Sequence, residues 1–476
     1  MQIKILDAIE CMVPAADGKI LLPLLSFESS YWVQGPHKKV KKTYRKDVFS
    51  HKRKDGWYFY TGLLLRIKKW ALENKIKVEV LGSEIKIPRQ NTPFLKGPGF
   101  EEFRKDQLEM IDVACEKGRG VISAATQTGK TLIFLGIMSC YPKLNILVLC
   151  HSSTIIQQTY ERLLKYGFKD SERFGGGIKI VNPTKRITIS TIQSFSKLSS
   201  KVYSDYYDCV IIDELHRVSK QVSQYKDVLS QLLAPLRFGF TATPKDDPES
   251  ELTYEGLIGP IISTLSIQKA TELDILGKPK LKLIRAKCPL DLSTIYKYQD
   301  TYEKIRVKGK MVNGRRLDIG AYSAGIVENT YRNAQIVEII AEKIKEEKIT
   351  FIFVTYTLHG RLLQEGIKQK IGIDAPFVEG STSIQERGRI KKGLADKKIP
   401  VVIASNAWME GLTAKTITDL VLCGGGKSEL QLLQKAGRVL ANDNVCITDF
   451  LDLTNKHMIL HTGERLVVYS EKGWLG

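Results

Sequence analysis

Short apolar runs alternate with amphipathic stretches along most of this 476-residue chain, and this alternation restricts the possible folds more than any other feature. Each apolar run has the length of one buried strand, and each amphipathic stretch has the length of a helix. Strands that alternate with helices form parallel sheets whose faces the helices cover. The alternation starts again after about residue 279, so the sequence predicts two α/β domains in tandem. The strand candidates are 145–149, 208–212, 350–354, 400–404 and 419–422, and the helix candidates include 154–166 and 220–233.

A segment rich in proline and glycine, residues 91–99, separates these domains from the N-terminal part of the chain. That part contains an aromatic run at 57–60, a helical pattern at 63–72 and a strand pattern at 77–81, which together predict a small α+β module. The predicted boundaries are 1–97 for the module, 98–270 and 271–452 for the two α/β domains, and 453–476 for a C-terminal tail. Residues 289–325 are polar and predict an irregular insertion, with Asn313-Gly314 at the tip of a hairpin.

Positive charge is concentrated in the N-terminal module. The chain has a formal net charge of +20, and residues 1–100 hold 19 basic and 9 acidic side chains. A domain of this kind attracts polyanions, so nucleic acid is the expected partner. The run 37–54 supplies six candidate DNA-binding residues: Lys38, Lys39, Lys41, Lys42, Arg45 and Lys46. The alternative is a basic face that only contacts solvent. The aromatic run at 57–60 could stack on bases, but alternating aromatic residues favour a strand in the core.

Cysteine spacing and hydropathy argue against secretion, a membrane span and a zinc site. No run of 18 apolar residues occurs, and the first residues lack the pattern of a signal peptide. The eight cysteines are scattered without a Cys-x-x-Cys pair, which favours free thiols in a reducing compartment. A cytoplasmic, monomeric protein without a membrane partner is therefore expected.

Residues 124–131, Ala-Ala-Thr-Gln-Thr-Gly-Lys-Thr, follow an apolar run and precede a predicted helix. They match the phosphate-binding pattern G-x-x-x-x-G-K-[ST], except that Ala124 occupies the place of the first glycine. In such a loop the backbone N–H groups contact phosphate, the lysine contacts the β- and γ-phosphate oxygens, and the hydroxyl binds Mg²⁺. The predicted nucleotide-binding residues here are Thr126, Gln127, Thr128, Gly129, Lys130 and Thr131.

Two carboxylates, Asp213 and Glu214, follow the apolar strand candidate at 208–212. Downstream of a phosphate-binding loop, such a pair supplies the second half of a nucleotide-hydrolysing site. Asp213 is predicted to hold Mg²⁺, and Glu214 is predicted to orient and deprotonate the attacking water. An ordinary solvated loop is the alternative explanation for the pair.

With these motifs the chain resembles superfamily 2 nucleic-acid helicases of the DExH kind, and most closely the phage UvsW-like DNA helicases. The resemblance covers residues 100–452 and is weaker in the N-terminal module. It implies two RecA-like domains with ATP and Mg²⁺ between them. It further implies adenine recognition by Arg104 and Gln107, and coupling by His216, Thr241 and Thr243. It implies a second-domain motif with Glu410 and Gly411, and a catalytic pair, Gln434 and Arg438. The implied nucleic-acid contacts are Ser152, Gln158, Thr191, Gln193, Gly380 and Ser405.

Besides Ala124, three positions depart from the family pattern. Ala441 stands where many relatives have a second arginine, so Arg438 is the arginine that the motif offers to the γ-phosphate. Thr413 stands where many relatives have an acid, and His151 stands where proline is usual. An inactive nucleotide site is one possible consequence, although Lys130 and Thr131 are both present.

The predicted function is an ATP-dependent DNA motor that acts on branched or forked DNA in recombination, repair or replication in a phage-infected bacterium. Two alternatives in the same class are an RNA helicase and a duplex translocase that does not unwind. An alternative from another class is a nucleic-acid-binding clamp with little or no ATP turnover.

Overall fold

The computed structural model describes residues 1–34, 39–151, 153–175, 181–182, 184–198, 203–215, 222–242, 248–288, 302–307, 310–315, 322–405, 416–426, 445–453 and 456–475. The chain divides into two compact units. One comprises Met1–Ala125 with Gly129–Ser266, and the other comprises Thr126–Thr128 with Ile267–Gly476.

The N-terminal module of the first unit is a mixed five-stranded sheet with the strand order β5-β6-β2-β1-β7. Its core contains the aromatic run predicted at 57–60, since Phe59 is fully buried and Tyr58 and Tyr60 are nearly so. The alternating aromatic residues at 57–60 therefore form a strand that packs in the core, as the sequence favoured. The elements are β1 (Gln2–Ile5), β2 (Glu10–Val13), α1 (Ala15–Leu21), β5 (His51–Lys52), β6 (Trp57–Tyr60), α2 (Leu64–Glu73) and β7 (Glu79–Leu81).

A separate two-stranded ribbon carries most of the basic run. It consists of β3 (Ser26–Gln34) and β4 (Lys39–Asp47), paired antiparallel from Ser26↔Asp47 to Gln34↔Lys39. Of the six basic candidates, the ribbon contains all except Lys38, which lies outside the described residues.

Seven parallel strands form the sheet of the first α/β domain, in the order β10-β11-β9-β12-β13-β8-β14. The central strands are entirely buried and rich in branched residues, as a sheet covered on both faces requires. The strands are β8 (Arg119–Ala124), β9 (Ile146–Cys150), β10 (Ser171–Phe174), β11 (Ile187–Thr191), β12 (Cys209–Ile212), β13 (Leu236–Thr241) and β14 (Ile261–Leu265). The helices are α3 (Lys105–Lys117), α4 (Lys130–Ser139), α5 (Ser153–Lys165), α6 (Ile192–Phe195), α7 (Val222–Leu229), α8 (Pro248–Leu257) and, in the second unit, α9 (Ile267–Glu272).

The N-terminal module packs directly on this domain, and arginines fasten the two together. Arg66 of α2 forms ion pairs with Glu251 and Glu255 of α8. The buried guanidinium of Arg119, at the start of β8, donates to the carbonyl oxygens of Ile258 (3.0 Å) and Ala8 (3.1 Å). These contacts make the module a fixed part of the first unit.

The second unit is built on a six-stranded parallel sheet with the order β15-β22-β21-β18-β20-β19. Its strands are β15 (Lys280–Arg285), β18 (Thr350–Phe353), β19 (Phe377–Val378), β20 (Val401–Ala404), β21 (Asp419–Leu422) and β22 (Cys446–Leu451). The helices are α10 (Thr330–Lys345), α11 (Thr357–Ile371), α12 (Ile384–Ala395) and α13 (Lys456–Glu471). Both parallel sheets and the mixed N-terminal sheet confirm the predicted fold class. In the described part of the chain, no helix has the length and hydropathy that a membrane span requires.

The predicted C-terminal tail contains a packed helix. Arg465 of α13 pairs with Asp449 at 2.7 Å, and the Tyr469 hydroxyl donates to the same carboxylate at 2.8 Å. Nearby, the fully buried Arg332 pairs with Asp452 at 2.8 Å. The predicted domain boundaries stay predictions, but residues 456–471 are an integral layer of the second unit.

The predicted hairpin tip at Asn313-Gly314 is wrong. The insertion contains two antiparallel strands, β16 (Tyr302–Val307) and β17 (Lys310–Arg315), whose adjoining ends are Val307 and Lys310. Asn313 and Gly314 lie inside β17, opposite Lys304 and Glu303. The sequence has a second glycine-containing turn candidate, Lys308-Gly309, and turn chemistry alone does not choose between it and Asn313-Gly314.

We predict that Gly62→Ala loosens the N-terminal module from the first α/β domain. A Cβ at this position would lie far inside contact distance of the backbone carbonyl oxygen of Glu255. The overpacking should lower the free energy of unfolding by about 1–3 kcal/mol, measured by urea denaturation. The control is Gly388→Ala in α12, where a Cβ meets nothing within 4 Å and a helical alanine should stabilise by up to about 1 kcal/mol. Equal stabilities of the two variants would contradict this packing.

Candidate active site

The loop between β8 and α4 has the backbone geometry of a phosphate cradle. Gln127 and Gly129 both have positive φ angles, 72° and 90°. A non-glycine residue in this conformation is uncommon and is often found at functional sites. Gly129 is the N-cap of α4, so the N–H groups of the first turn of that helix are available to an anion. The Lys130 ammonium lies over the loop and donates to the carbonyl oxygens of Ala124 (3.0 Å) and Ala125 (3.4 Å).

Helix α3 brings Gln107 against this loop. The side chain of Gln107 is buried, and its Oε1 accepts a hydrogen bond from the backbone N–H of Arg104 at 3.2 Å. A Cβ on Gly129 would lie 2.5 Å from the Gln107 Nε2, so glycine is needed here for the approach of the amide as well as for the φ angle. Asp106 holds the Arg104 guanidinium by two hydrogen bonds of 2.9 Å. The two residues assigned to adenine therefore lie beside the loop assigned to phosphate.

The carboxylates Asp213 and Glu214 follow β12 at the same edge of the sheet. Burial, and next the charge of Glu214, raises the pKa of Asp213 to about 6, while the positive charges of Lys130 and His151 oppose the rise. Glu214 has a positive φ of 56°, and its N–H donates to the Asp213 Oδ1 at 3.0 Å. A buried carboxylate with a neighbouring like charge is stabilised by a bound cation.

His151 and Arg162 are two site residues that the sequence did not assign to the nucleotide site. His151 directly follows β9, the neighbour of β12 in the sheet, and its charge acts on Asp213. Arg162 of α5 donates from Nη1 to the Thr131 Oγ1 at 2.7 Å. The strand order predicts the position of His151 once the sheet is known, whereas nothing in the sequence pairs Arg162 with Thr131.

These residues fit a magnesium nucleotide. The donors are the Thr131 hydroxyl and the Asp213 carboxylate, both hard oxygen ligands. In the described ranges, no group of three or more His, Cys, Asp or Glu side chains is arranged to hold a metal ion by itself. Mg²⁺ typically uses one or two protein ligands and completes its shell with phosphate oxygens and water, so this small donor set suits it.

The nucleic-acid candidates of the first unit have structural partners of their own. The Thr191 hydroxyl caps α6 by accepting from the Ser194 N–H at 3.1 Å, and Gln193 follows it in that short helix. Gln158 lies half-buried in α5. Thr241 ends β13 and is buried. Thr191 thus lies at the carboxyl end of β11 and Gln193 in the helix that follows, whereas Gln158 lies in the second turn of α5, the helix after the neighbouring strand β9.

In the second unit, Gly380 and Ser405 follow the neighbouring strands β19 and β20. The carbonyl oxygen of Gly380 accepts from Arg387 at 3.4 Å, and the Ser405 N–H donates to the Val378 carbonyl oxygen at 3.0 Å. Several other predicted site residues lie outside the described residues, and their assignments stay predictions: Ser152, His216, Thr243, Glu410, Gly411, Gln434 and Arg438.

The six basic candidates divide into two with internal partners, Lys46 and Arg45, and four whose side chains the structure does not describe. Lys46 forms an ion pair with Glu249 of α8 and lies 5.8 Å from the centre of the Phe27 ring. Arg45 donates to the Ser26 hydroxyl at 2.5 Å. For Lys39, Lys41 and Lys42 the structure describes the strand and not the side chains. Lys46 thus contributes to docking of the ribbon, which the sequence did not predict.

Comparison with known proteins gives two family matches and several relatives. Residues 100–246 match the family "Type III restriction enzyme, res subunit", and residues 332–441 match "Helicase conserved C-terminal domain". The chain is 27% identical to a DNA 3'-5' translocase XPB2 of Sulfurisphaera tokodaii, over 79% of this chain and 85% of that protein. It is 22% identical to the ATP-dependent DNA helicase uvsW of Enterobacteria phage T4, over 68% of this chain and 62% of that protein.

A solved helicase structure has a similar fold. The DUF1998 helicase MrfA bound to DNA superposes with a TM-score of 0.55 and 16% identity, over 78% of this chain and 49% of that one. At this identity the likeness shows the fold alone, which is that of two RecA-like domains. The two family matches together span more than half of the sequence and contain the phosphate-binding loop, the Asp213-Glu214 pair and the arginine motif. The chain therefore belongs to the superfamily 2 helicases.

Proposed function

We propose that this protein is an ATP-dependent DNA helicase or translocase that acts on branched or forked DNA. The observation that carries the proposal is the convergence of Gln107, Lys130, Thr131 and Asp213 at one edge of the first parallel sheet. The names of the two relatives, a DNA translocase and an ATP-dependent DNA helicase, favour DNA as the partner.

Each residue has a role that its position supports. Lys130 leaves the loop carbonyl oxygens for the β- and γ-phosphate oxygens when nucleotide binds. Thr131 and Asp213 would hold Mg²⁺, which would supply positive charge to offset the charge that develops on the phosphates. Glu214 orients water and accepts its proton. Arg438, assigned by the family resemblance, stabilises transition-state charge on the γ-phosphate, where an arginine finger is worth roughly 10³–10⁵ in rate.

The nucleic-acid class is tested by comparing stimulators of ATP hydrolysis. Purified protein is assayed with forked DNA, blunt duplex, single-stranded DNA and single-stranded RNA at equal nucleotide concentration and fixed salt. The proposal predicts the highest turnover with forked DNA and little stimulation by RNA. Greater stimulation by RNA would favour the RNA helicase, equal stimulation by blunt and forked duplex would favour a duplex translocase, and no stimulation at all would favour the clamp.

Lys130→Ala is predicted to abolish DNA-stimulated ATP hydrolysis while DNA affinity in the absence of nucleotide changes little. The reason is that the ammonium group donates to carbonyl oxygens of the phosphate-binding loop, where the nucleotide phosphates are proposed to bind. Hydrolysis is measured by phosphate release, and DNA affinity by fluorescence anisotropy. Lys143→Ala, an exposed lysine in the same domain, is the matched control and should keep normal turnover. Normal turnover in Lys130→Ala would contradict the assignment of this loop as the phosphate-binding loop of an ATP site.

Glu214→Gln is predicted to bind ATP but to hydrolyse it at a small fraction of the normal rate. The amide keeps the size of the side chain but cannot accept a proton from water. Because hydrolysis is blocked after binding, this variant should hold DNA more tightly with ATP than with ADP, measured by anisotropy. An unchanged rate of hydrolysis would show that another group activates the water.

Removal of positive charge from the basic run is expected to have two different effects on the salt dependence of DNA binding, depending on which lysines are replaced. Each phosphate contact on duplex DNA contributes about 0.9 to the slope of log affinity against log salt concentration. The combined variant Lys38→Gln, Lys39→Gln, Lys41→Gln and Lys42→Gln should flatten that slope. Lys46→Gln should leave the slope nearly unchanged, because its ammonium group is paired with Glu249. If Lys46→Gln flattens the slope as much per charge as the fourfold variant does, Lys46 contacts DNA phosphate like the other four lysines, and its assignment to docking of the ribbon is incorrect.

A further inference from the structure

Arg162 is a cation at the magnesium side of the phosphate-binding loop. It lies near the end of α5, yet its Nη1 is 2.7 Å from the Oγ1 of Thr131, the second residue of α4. Within the described residues, Thr131 is the partner recorded for this guanidinium. A guanidinium has five N–H donors in a planar fork, so most of its donors remain available to a ligand.

We infer that Arg162 is a phosphate-contacting residue, supplied by the same unit as Lys130 and Thr131. This inference rests on the proposed ATP site and adds a contact to it. If the Thr131 hydroxyl coordinated Mg²⁺, one of its two lone pairs would be given to the metal, and the positive charge of the metal would repel the guanidinium from this acceptor. The nearest favourable acceptors are then the phosphate oxygens held at the start of α4, which a guanidinium binds with two parallel hydrogen bonds.

The charge balance of the site favours movement of the Arg162 guanidinium from the Thr131 hydroxyl to the phosphate oxygens. The polyphosphate of ATP brings several negative charges to an edge that already contains Asp213 and Glu214. Lys130 supplies one positive charge in the first unit, and Ala441 occupies the position of the second arginine of the Q-x-x-G-R motif. Arg162 supplies a further positive charge from within the first unit, so its contribution does not depend on residues of the second unit.

The test is equilibrium binding of a fluorescent, non-hydrolysable ATP analogue in the presence of Mg²⁺. Loss of a charge-assisted hydrogen bond should weaken the affinity of Arg162→Gln by about tenfold or more. The matched control is Arg173→Gln. Arg173 belongs to β10, and its guanidinium packs against α5, where it donates to Gln157 and lies 4.9 Å from the centre of the Tyr160 ring; among the described contacts it has none with Thr131. This control should bind the analogue as the unaltered protein does.

Arg162→Lys separates phosphate contact from a merely structural role. A lysine keeps the point charge without the planar fork, so it should recover part of the lost affinity. Thermal unfolding without nucleotide should be the same for all three variants. An affinity of Arg162→Gln equal to or higher than that of the unaltered protein would overturn the inference, because the guanidinium would then only occupy the Thr131 hydroxyl until the metal displaces it.

Lys130→Ala in the same assay keeps this inference distinct from the proposed function. If Lys130→Ala loses binding while Arg162→Gln retains it, the ATP site stands and the role of Arg162 is rejected. If the unaltered protein does not bind the analogue, or Lys130→Ala binds it equally well, the proposed ATP site itself is rejected.

Discussion

The parallel direction of the strands in the first α/β domain is the constraint on which the candidate site depends. In a parallel sheet every strand ends at the same edge, so residues far apart in sequence meet there without a dedicated scaffold. The loop after β8 supplies Lys130, β12 supplies Asp213, and β9 supplies His151, whose charge acts on Asp213. Helix α3 then brings Gln107 to the same loop, where the absence of a Cβ at Gly129 permits the approach.

Charged side chains that are removed from solvent have different roles in two parts of this protein. Arg119 and Arg237 are buried, but carbonyl oxygens surround their guanidinium groups, so they bind the structural layers together. Asp213 is half-buried, and desolvation together with the like charge of its neighbour Glu214 raises its pKa. The arginines donate hydrogen bonds to carbonyl oxygens of the fold itself, whereas the carboxylate pair is an arrangement that a cation stabilises. This difference distinguishes the arginines that stabilise the fold from the carboxylates that belong to the candidate active site.

Sequence reasoning predicted the features that depend on local pattern. Apolar periodicity predicted both parallel sheets, and residue spacing predicted the phosphate-binding loop and the Asp213-Glu214 pair. It was wrong about the hairpin tip at Asn313-Gly314, because Lys308-Gly309 also contains a glycine and turn chemistry alone does not choose between them. It could not predict the pairing of Lys46 with Glu249 or of Arg162 with Thr131, since both join side chains that are distant in sequence.

The most direct test of the account is whether Mg²⁺ strengthens nucleotide binding through Asp213. Affinity for a fluorescent ADP analogue is measured with and without Mg²⁺, for the unaltered protein and for Asp213→Asn, which keeps the shape of the side chain but removes its charge. The account predicts that Mg²⁺ increases the affinity of the unaltered protein and has little effect on Asp213→Asn. Equal enhancement by Mg²⁺ in both proteins, or none in the unaltered protein, would contradict the assignment of this edge of the sheet as a magnesium nucleotide site.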